Sequence, residues 1–152
     1  MANTYTQIFL HVVFVVKGRL NLIPKDKKEE LFGYIGGIIK NKEHKVYIVN
    51  GMADHVHVLF GFNPKDSISD LIHEVKRNSS KYINENKWLS GKFEWQSGYG
   101  AFSYSKSHVD RIYKYIQGQE EHHKKLSFRE EYISFLKKYG VDYDERYIFD
   151  EV

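Results

Sequence analysis

The segment Asp54-His55-Val56-His57-Val58-Leu59-Phe60 places two imidazoles two residues apart. In an extended strand His55 and His57 project from one face and Val56 and Val58 from the other. Side chains at that spacing sit about 7 Å apart, close enough to hold one metal ion between them. Strand propensity gives no reason to interrupt an apolar face twice with histidine, although two ordinary histidines on a half-exposed strand fit the same pattern. A second set lies in residues 107–123. At 100° per residue, His108, Arg111, Tyr115, Gln119 and His122 form a polar stripe beside the apolar Val109, Ile112 and Ile116. Tyr115 and Gln119 are neighbours four apart. A tyrosine hydroxyl, with a pKa of about 10, serves as a nucleophile only beside a metal-activated phosphate or a base. The competing reading is an amphipathic helix whose tyrosine covers the core edge. A third set interleaves cations and rings: Lys76, Arg77 and Lys81, then Lys87, Trp88, Lys92, Phe93, Trp95 and Gln96. Bases stacking on aromatics beside a cationic groove is the physics of single-strand binding; the alternative is that the rings fasten their loop to the domain.

These groups must be positioned by a chain of 152 residues, a length that fits one domain able to bury a core without disulfides. The sequence has no cysteine, which excludes thiolate metal sites and cysteine nucleophiles. The longest apolar run, Val12–Val16, is far short of a bilayer span, and nothing around it reads as a signal peptide. A soluble, cytoplasmic protein without membrane contact is expected. The net charge of +3 divides unevenly: residues 1–114 carry +6, residues 115–152 carry −3, and the last twelve residues −4. A basic body with an acidic end suits a nucleic-acid binder, and equally a solvated surface.

Thr4 to Lys17 reads as a strand apolar on both parities, hence central in a sheet. A helix follows from about Asp26 to Glu43. Two strands come next, Lys45–Val49 and Val56–Phe62, with Asn50-Gly51 at the hairpin turn. Ser67 caps a second helix, with Asp70 three residues on. Residues 84–98 form a loop, a strand lies near Tyr99–Tyr104, and helices start at Ser107 and Ser127. Gly118, inside the third helix, costs about 1 kcal/mol relative to alanine and marks looseness or a close approach. The order β-α-β-β-α-β plus two helices predicts an α+β, ferredoxin-like (RRM-like) antiparallel sheet with additional C-terminal helices.

Jointly, three stretches resemble the HUH single-tyrosine transposases of the insertion-sequence 200/605 type, including the relatives associated with repetitive extragenic palindromes. They are Thr6-Gln7-Ile8-Phe9-Leu10-His11-Val12-Val13-Phe14, Gly51-Met52-Ala53-Asp54-His55-Val56-His57, and Tyr115-Ile116-Gln117-Gly118-Gln119-Glu120-Glu121-His122-His123. The resemblance spans a core of residues 4–125, leaving a helix and acidic tail over 126–152 of a single transposase domain, 1–152. It implies that His55, His57 and Gln119 ligate a divalent ion, Mg²⁺ or Mn²⁺, and that Tyr115 is the catalytic nucleophile. The implied reaction cleaves single-stranded DNA at hairpin-flanked ends and rejoins it through a 5′-phosphotyrosine, leaving a free 3′-hydroxyl and needing no ATP. It also implies a homodimer in which the tyrosine helix of one subunit commonly completes the site of the other. Lys76, Arg77, Lys81, Trp88, Lys92 and Trp95 are the expected DNA-binding side chains. Tyr113 also precedes a glutamine by four residues; the family's Tyr-Ile-x-x-Gln form selects Tyr115, and the helical wheel places Tyr113 toward the core. The alternative function is a domesticated or non-catalytic module that binds hairpin nucleic acid.

Overall fold

Seven successive residues, apolar on both parities but for His11, make β1, Phe9–Val15, and every one of them is buried. Such a strand is stable only between neighbours and under cover on both faces. It lies second from the edge of a four-stranded sheet of order β2-β3-β1-β4, in which β2 is Lys45–Met52, β3 His55–Gly61 and β4 Gly100–Tyr104. All three pairings are antiparallel. The computed structural model describes residues 4–123 and 127–143. Of the acidic stretch 141–152, residues 144–152 lie outside those described. β1 is shorter than the expected Thr4–Lys17 because its partners run out: Phe9 is the last residue opposite both Gly61 and Tyr104.

The two faces of the sheet carry different layers. Leu10, Val12 and Phe14 of β1, with Val56, Val58 and Phe60 of β3, pack against α1 (Lys28–Asn41) and α2 (Ile68–Glu85). Each buried side chain of this kind contributes roughly 1.5–3 kcal/mol. Ser67 caps α2 as expected, its Oγ accepting from the Asp70 amide at 3.0 Å. On the other face Val13, Val15 and Phe102 pack against α5 (Phe128–Lys138), and Leu59 against α3 (Lys106–Gln117). No helix among the described residues is long and apolar enough to cross a membrane.

Two local expectations are corrected. The hairpin turn is Ala53-Asp54, with Met52 opposite His55, whereas Asn50 and Gly51 stay in β2. Gly51 is needed in the ladder because a β-carbon there would stand 2.2 Å from the His55 carbonyl oxygen. The third helix is also not continuous to His123: it ends at Gln117, Gly118 caps it, and a single turn, α4 (Gln119–His122), follows. Asn50 holds this break to the sheet, donating through Nδ2 to the carbonyls of Ile116 at 2.8 Å and Gln117 at 3.3 Å.

Candidate active site

His55 and His57 project toward the α3/α5 layer and have no exposed surface. The half-exposed strand expected from the alternation is therefore a closed one. What covers it is α5: Phe128 stacks on His55 with ring centroids 3.9 Å apart and planes 16° apart, and the Phe135 ring lies 6.5 Å from that of His57.

Glu131 of α5, which belongs to none of the expected site residues, is the centre of the cluster. Its Oε1 lies 3.0 Å from His57 Nε2, 3.4 Å from His123 Nε2 and 3.9 Å from His55 Nε2. Its Oε2 accepts from the Tyr115 hydroxyl and, at 3.1 Å, from Gln119 Nε2. Gln119 Oε1 in turn stands 2.9 Å from His55 Nε2 and 3.1 Å from His123 Nε2. Behind the histidines, His55 Nδ1 meets Asp54 Oδ1 at 2.7 Å, and His57 Nδ1 meets His11 Nε2 at 2.7 Å. Tyr115, Gln119, His55 and His57 thus come together within one chain. A signal for Glu131 was present: it falls on the same helical face as Phe128, Tyr132 and Phe135, where a charge has no reason to be unless it is paired.

Burial opposes charge throughout. It pushes His57 down to about 4, against the attraction of Glu131, so His57 is neutral at pH 7. Burial alone would raise Glu131, but hydrogen bonds from His123, His57 and Tyr115 outweigh it and hold the carboxyl well below its usual range. Burial, then the charge and hydrogen bond of Glu131, push the Tyr115 hydroxyl well above 10. It is a held, protonated hydroxyl in this arrangement.

Tyr113, expected to face the core, is instead exposed, and Tyr115 is the one turned inward. The wheel centred the core on Val109, Ile112 and Ile116; α5 widens the covered arc on the Tyr115 side, where Phe135 meets the Tyr115 ring edge-on at 5.5 Å. His108 and Arg111 of the same stripe are exposed. The donor set fits a divalent ion: one ligand atom each from His55, His57 and Glu131 lies within 4.8 Å of the others, and the Gln119 amide oxygen adjoins them.

The six expected DNA-binding residues are not gathered at this cluster, because α2 packs on the opposite face of the sheet. Lys76 Nζ donates to the carbonyls of Gln96 at 2.8 Å and of Gly98, and burial pushes it down to about 8; it is a loop anchor. Trp95 is another anchor, wedged edge-on against Phe14 and Phe93 at 4.8 Å each, with Nε1 donating to Ser79 Oγ at 2.9 Å. Trp88 is half-buried against Tyr82, with Lys27 over its ring. Arg77, Lys81 and Lys92 are exposed; Lys92 pairs with Glu94 at 3.0 Å, and Lys81 loosely with Glu85 at 3.9 Å. Arg77, Lys92 and Trp95 line a groove of about 490 Å³. The loop reaches the site's end of the sheet, since Val16 bridges to Trp95 and its amide donates to the Asp54 carbonyl. Trp95→Ala is accordingly expected to cost about 3 kcal/mol of stability, and to lower hairpin and duplex binding alike. Thermal melting and parallel titrations check this.

A family model described as "Transposase IS200 like" matches residues 4–119. The chain is 25% identical over 120 residues to the ISDra2 transposase TnpA of Deinococcus radiodurans, covering 76% of this chain and 86% of that relative. It is 26% identical over 130 residues to the transposase for insertion sequence element IS200 of Salmonella typhimurium, covering 82% and 84%. Among solved structures, that of the REP-associated tyrosine transposase bound to a REP hairpin superposes with a TM-score of 0.60, at 13% identity, over 81% of this chain and 73% of that one. At that identity the likeness establishes the fold alone.

Proposed function

The chain belongs to the IS200-like transposase family, whose members are DNA-strand transferases, and on that premise we propose that it cuts and rejoins single-stranded DNA at hairpin-flanked ends with Tyr115 as nucleophile. The observation that carries this reading is the convergence of the Tyr115 hydroxyl, His57 and Gln119 on the single carboxylate of Glu131. His55, His57, Gln119 and Glu131 are the residues that would hold a divalent ion. When bound, such an ion polarises a phosphodiester and offsets its charge. The Tyr115 oxygen forms the new bond to phosphorus as the bond to the 3′-oxygen breaks, giving a 5′-phosphotyrosine and a 3′-hydroxyl. The hydrogen of Tyr115 already faces Glu131 Oε2, passes to it as the oxygen attacks, and is handed on to the departing 3′-oxygen to complete the hydroxyl. Attack by a 3′-hydroxyl on the phosphotyrosine reverses the step, so no external energy source is consumed.

Residues 1–152 act as one unit in this reading, and a homodimer is the assembly that the resemblance implies, although one subunit already carries every reacting group. Because His55, His57 and Gln119 have no exposed surface, a phosphodiester reaches them only once the rings that cover them, Phe128 foremost, turn aside while Glu131 stays in place. The test is to incubate the protein with hairpin-flanked single strands and Mg²⁺ or Mn²⁺ and trap the covalent adduct. Hairpin binding without an adduct would instead identify a binding module. On the DNA side, affinity is expected to fall with salt, by a slope of about −0.7 per phosphate contact on single strands. Arg77→Ala should flatten that slope by about one contact, whereas Lys76→Ala, which unties a loop, should mainly lower the melting temperature.

A further inference from the structure

We propose that His11 is a positioning residue: with Tyr104 behind it, it sets which ring nitrogen of His57 carries hydrogen, and so whether His57 can take a divalent cation. The inference rests on the reading of His57 as a ligand. His11 is the one polar side chain in β1 and is fully buried. An imidazole there costs stability unless both ring nitrogens are hydrogen-bonded, and space-filling alone would be met by leucine or phenylalanine. Both nitrogens are used: Nε2 meets His57 Nδ1 at 2.7 Å and Nδ1 meets the Tyr104 hydroxyl at 3.3 Å. On its other side His57 Nε2 meets Glu131 Oε1 at 3.0 Å. Four groups therefore stand in line: carboxylate, imidazole, imidazole, phenol.

Both rings are fully buried, where a charged imidazole is strongly disfavoured, and a neutral imidazole has one donor and one acceptor. An ionised carboxylate only accepts. Hydrogen must then sit on His57 Nε2, His57 Nδ1 must accept from His11 Nε2–H, and His11 Nδ1 must accept from the Tyr104 hydroxyl. In that direction every link has one donor and one acceptor, but the nitrogen aimed at the cluster has no lone pair to give. A cation on His57 Nε2 needs the opposite arrangement. His57 Nδ1–H then donates to His11 Nε2, His11 Nδ1–H donates to the Tyr104 oxygen, and the Tyr104 hydrogen turns toward Tyr139, its other polar partner. Each ring keeps one hydrogen throughout, so no proton is gained or lost; only the direction of the chain reverses. His55 is built differently. Its Nδ1 is fixed as donor by the Asp54 carboxylate at 2.7 Å, which cannot reverse. Second-sphere partners of ligating histidines generally fix the ring this way; the His57 partner is one that has two stable settings.

The experiment is a Mg²⁺ titration of imidazole-¹⁵N-labelled protein, read by the long-range correlations that identify the hydrogen-bearing nitrogen of each ring. Expected in the wild type is Nε2–H on His57 without metal, changing to Nδ1–H as Mg²⁺ saturates, with His11 reversing in step. His11→Phe should weaken Mg²⁺ binding by about 10–100-fold with the fold retained, and His11→Gln, whose amide both donates and accepts, should recover most of that loss. Mg²⁺ binding that leaves the His57 and His11 hydrogens in place, or wild-type affinity in His11→Phe, overturns this proposal and leaves the metal reading standing. No Mg²⁺ response at His57 in the wild type overturns both. The wild-type reversal is read without any variant, so it decides the matter even if His11→Phe does not fold.

Discussion

Tyr115→Phe is expected to yield a folded protein that binds hairpin DNA nearly as the wild type does and forms no covalent adduct with it. The substitution removes one oxygen and keeps the ring that meets Phe135 edge-on. The lost hydrogen bond to Glu131 is only one of several that satisfy that carboxylate, so the cost in stability is about 1 kcal/mol. The chemical cost is of another order, because deleting a covalent nucleophile lowers rates on the order of 10⁶-fold. Tyr113→Phe, at an exposed position on the far side of α3, should cleave at the wild-type rate. Denaturing gels of protein incubated with labelled single strands separate the two, and an adduct in Tyr115→Phe with none in Tyr113→Phe would reverse the assignment.

His57→Ala is expected to do more than remove a ligand. On a half-exposed strand the change would cost within about a kcal/mol, but His57 is fully buried and sits between Glu131 and His11. Truncation leaves a buried carboxylate short of a partner and breaks the chain to His11. A cost of about 3 kcal/mol follows, or roughly 2–4 °C of melting temperature per kcal/mol for a chain of this size. Metal-dependent cleavage should be lost at the same time. The acid limb of stability should change as well. His57 is held near 4 in the folded protein, against about 6.5 unfolded. Below 6.5 the unfolded chain takes up the proton that the folded one refuses, so stability is full above that pH and declines toward 4. His57→Ala should flatten that decline, leaving what His11, shifted the same way, contributes. Melting curves between pH 4 and 7 on metal-free protein provide the measurement; an unchanged acid limb would place the shift elsewhere.

What could be read in the sequence was what depends on near neighbours. The two apolar parities of β1 gave its central place, the Ser67 cap gave the start of α2, and the His-x-His alternation put both imidazoles on one face. What could not be read depends on contacts across the sheet. Asn50-Gly51 carries every local mark of a turn, yet Gly51 is spent on a close strand crossing and Asn50 on the carbonyls that end α3. Trp95 and Lys76 have the composition of a nucleic-acid surface, but both are turned into the loop that they fasten. The burial of the histidines and the inward turn of Tyr115 share one cause, the seating of α5, and no periodicity within α3 or β3 reports where another helix will lie. Glu131 alone offered a local hint, as a charge on an otherwise apolar face.

α5 lies beyond residue 119, where the family match ends, and its Phe128 and Glu131 close the cluster over. On the proposed metal reading, loading a site with no exposed surface would be a gated process. An ion would enter only in the fraction of time that the cover is open, and at high concentration its rate of entry would level off at the rate of opening. At such concentrations, how soon a newly folded chain became competent would be set by a time constant of the protein and not by how much metal surrounds it. Two such chains with equal affinity for the ion could differ widely in readiness, through no more than the side chains that seat one short helix on the sheet.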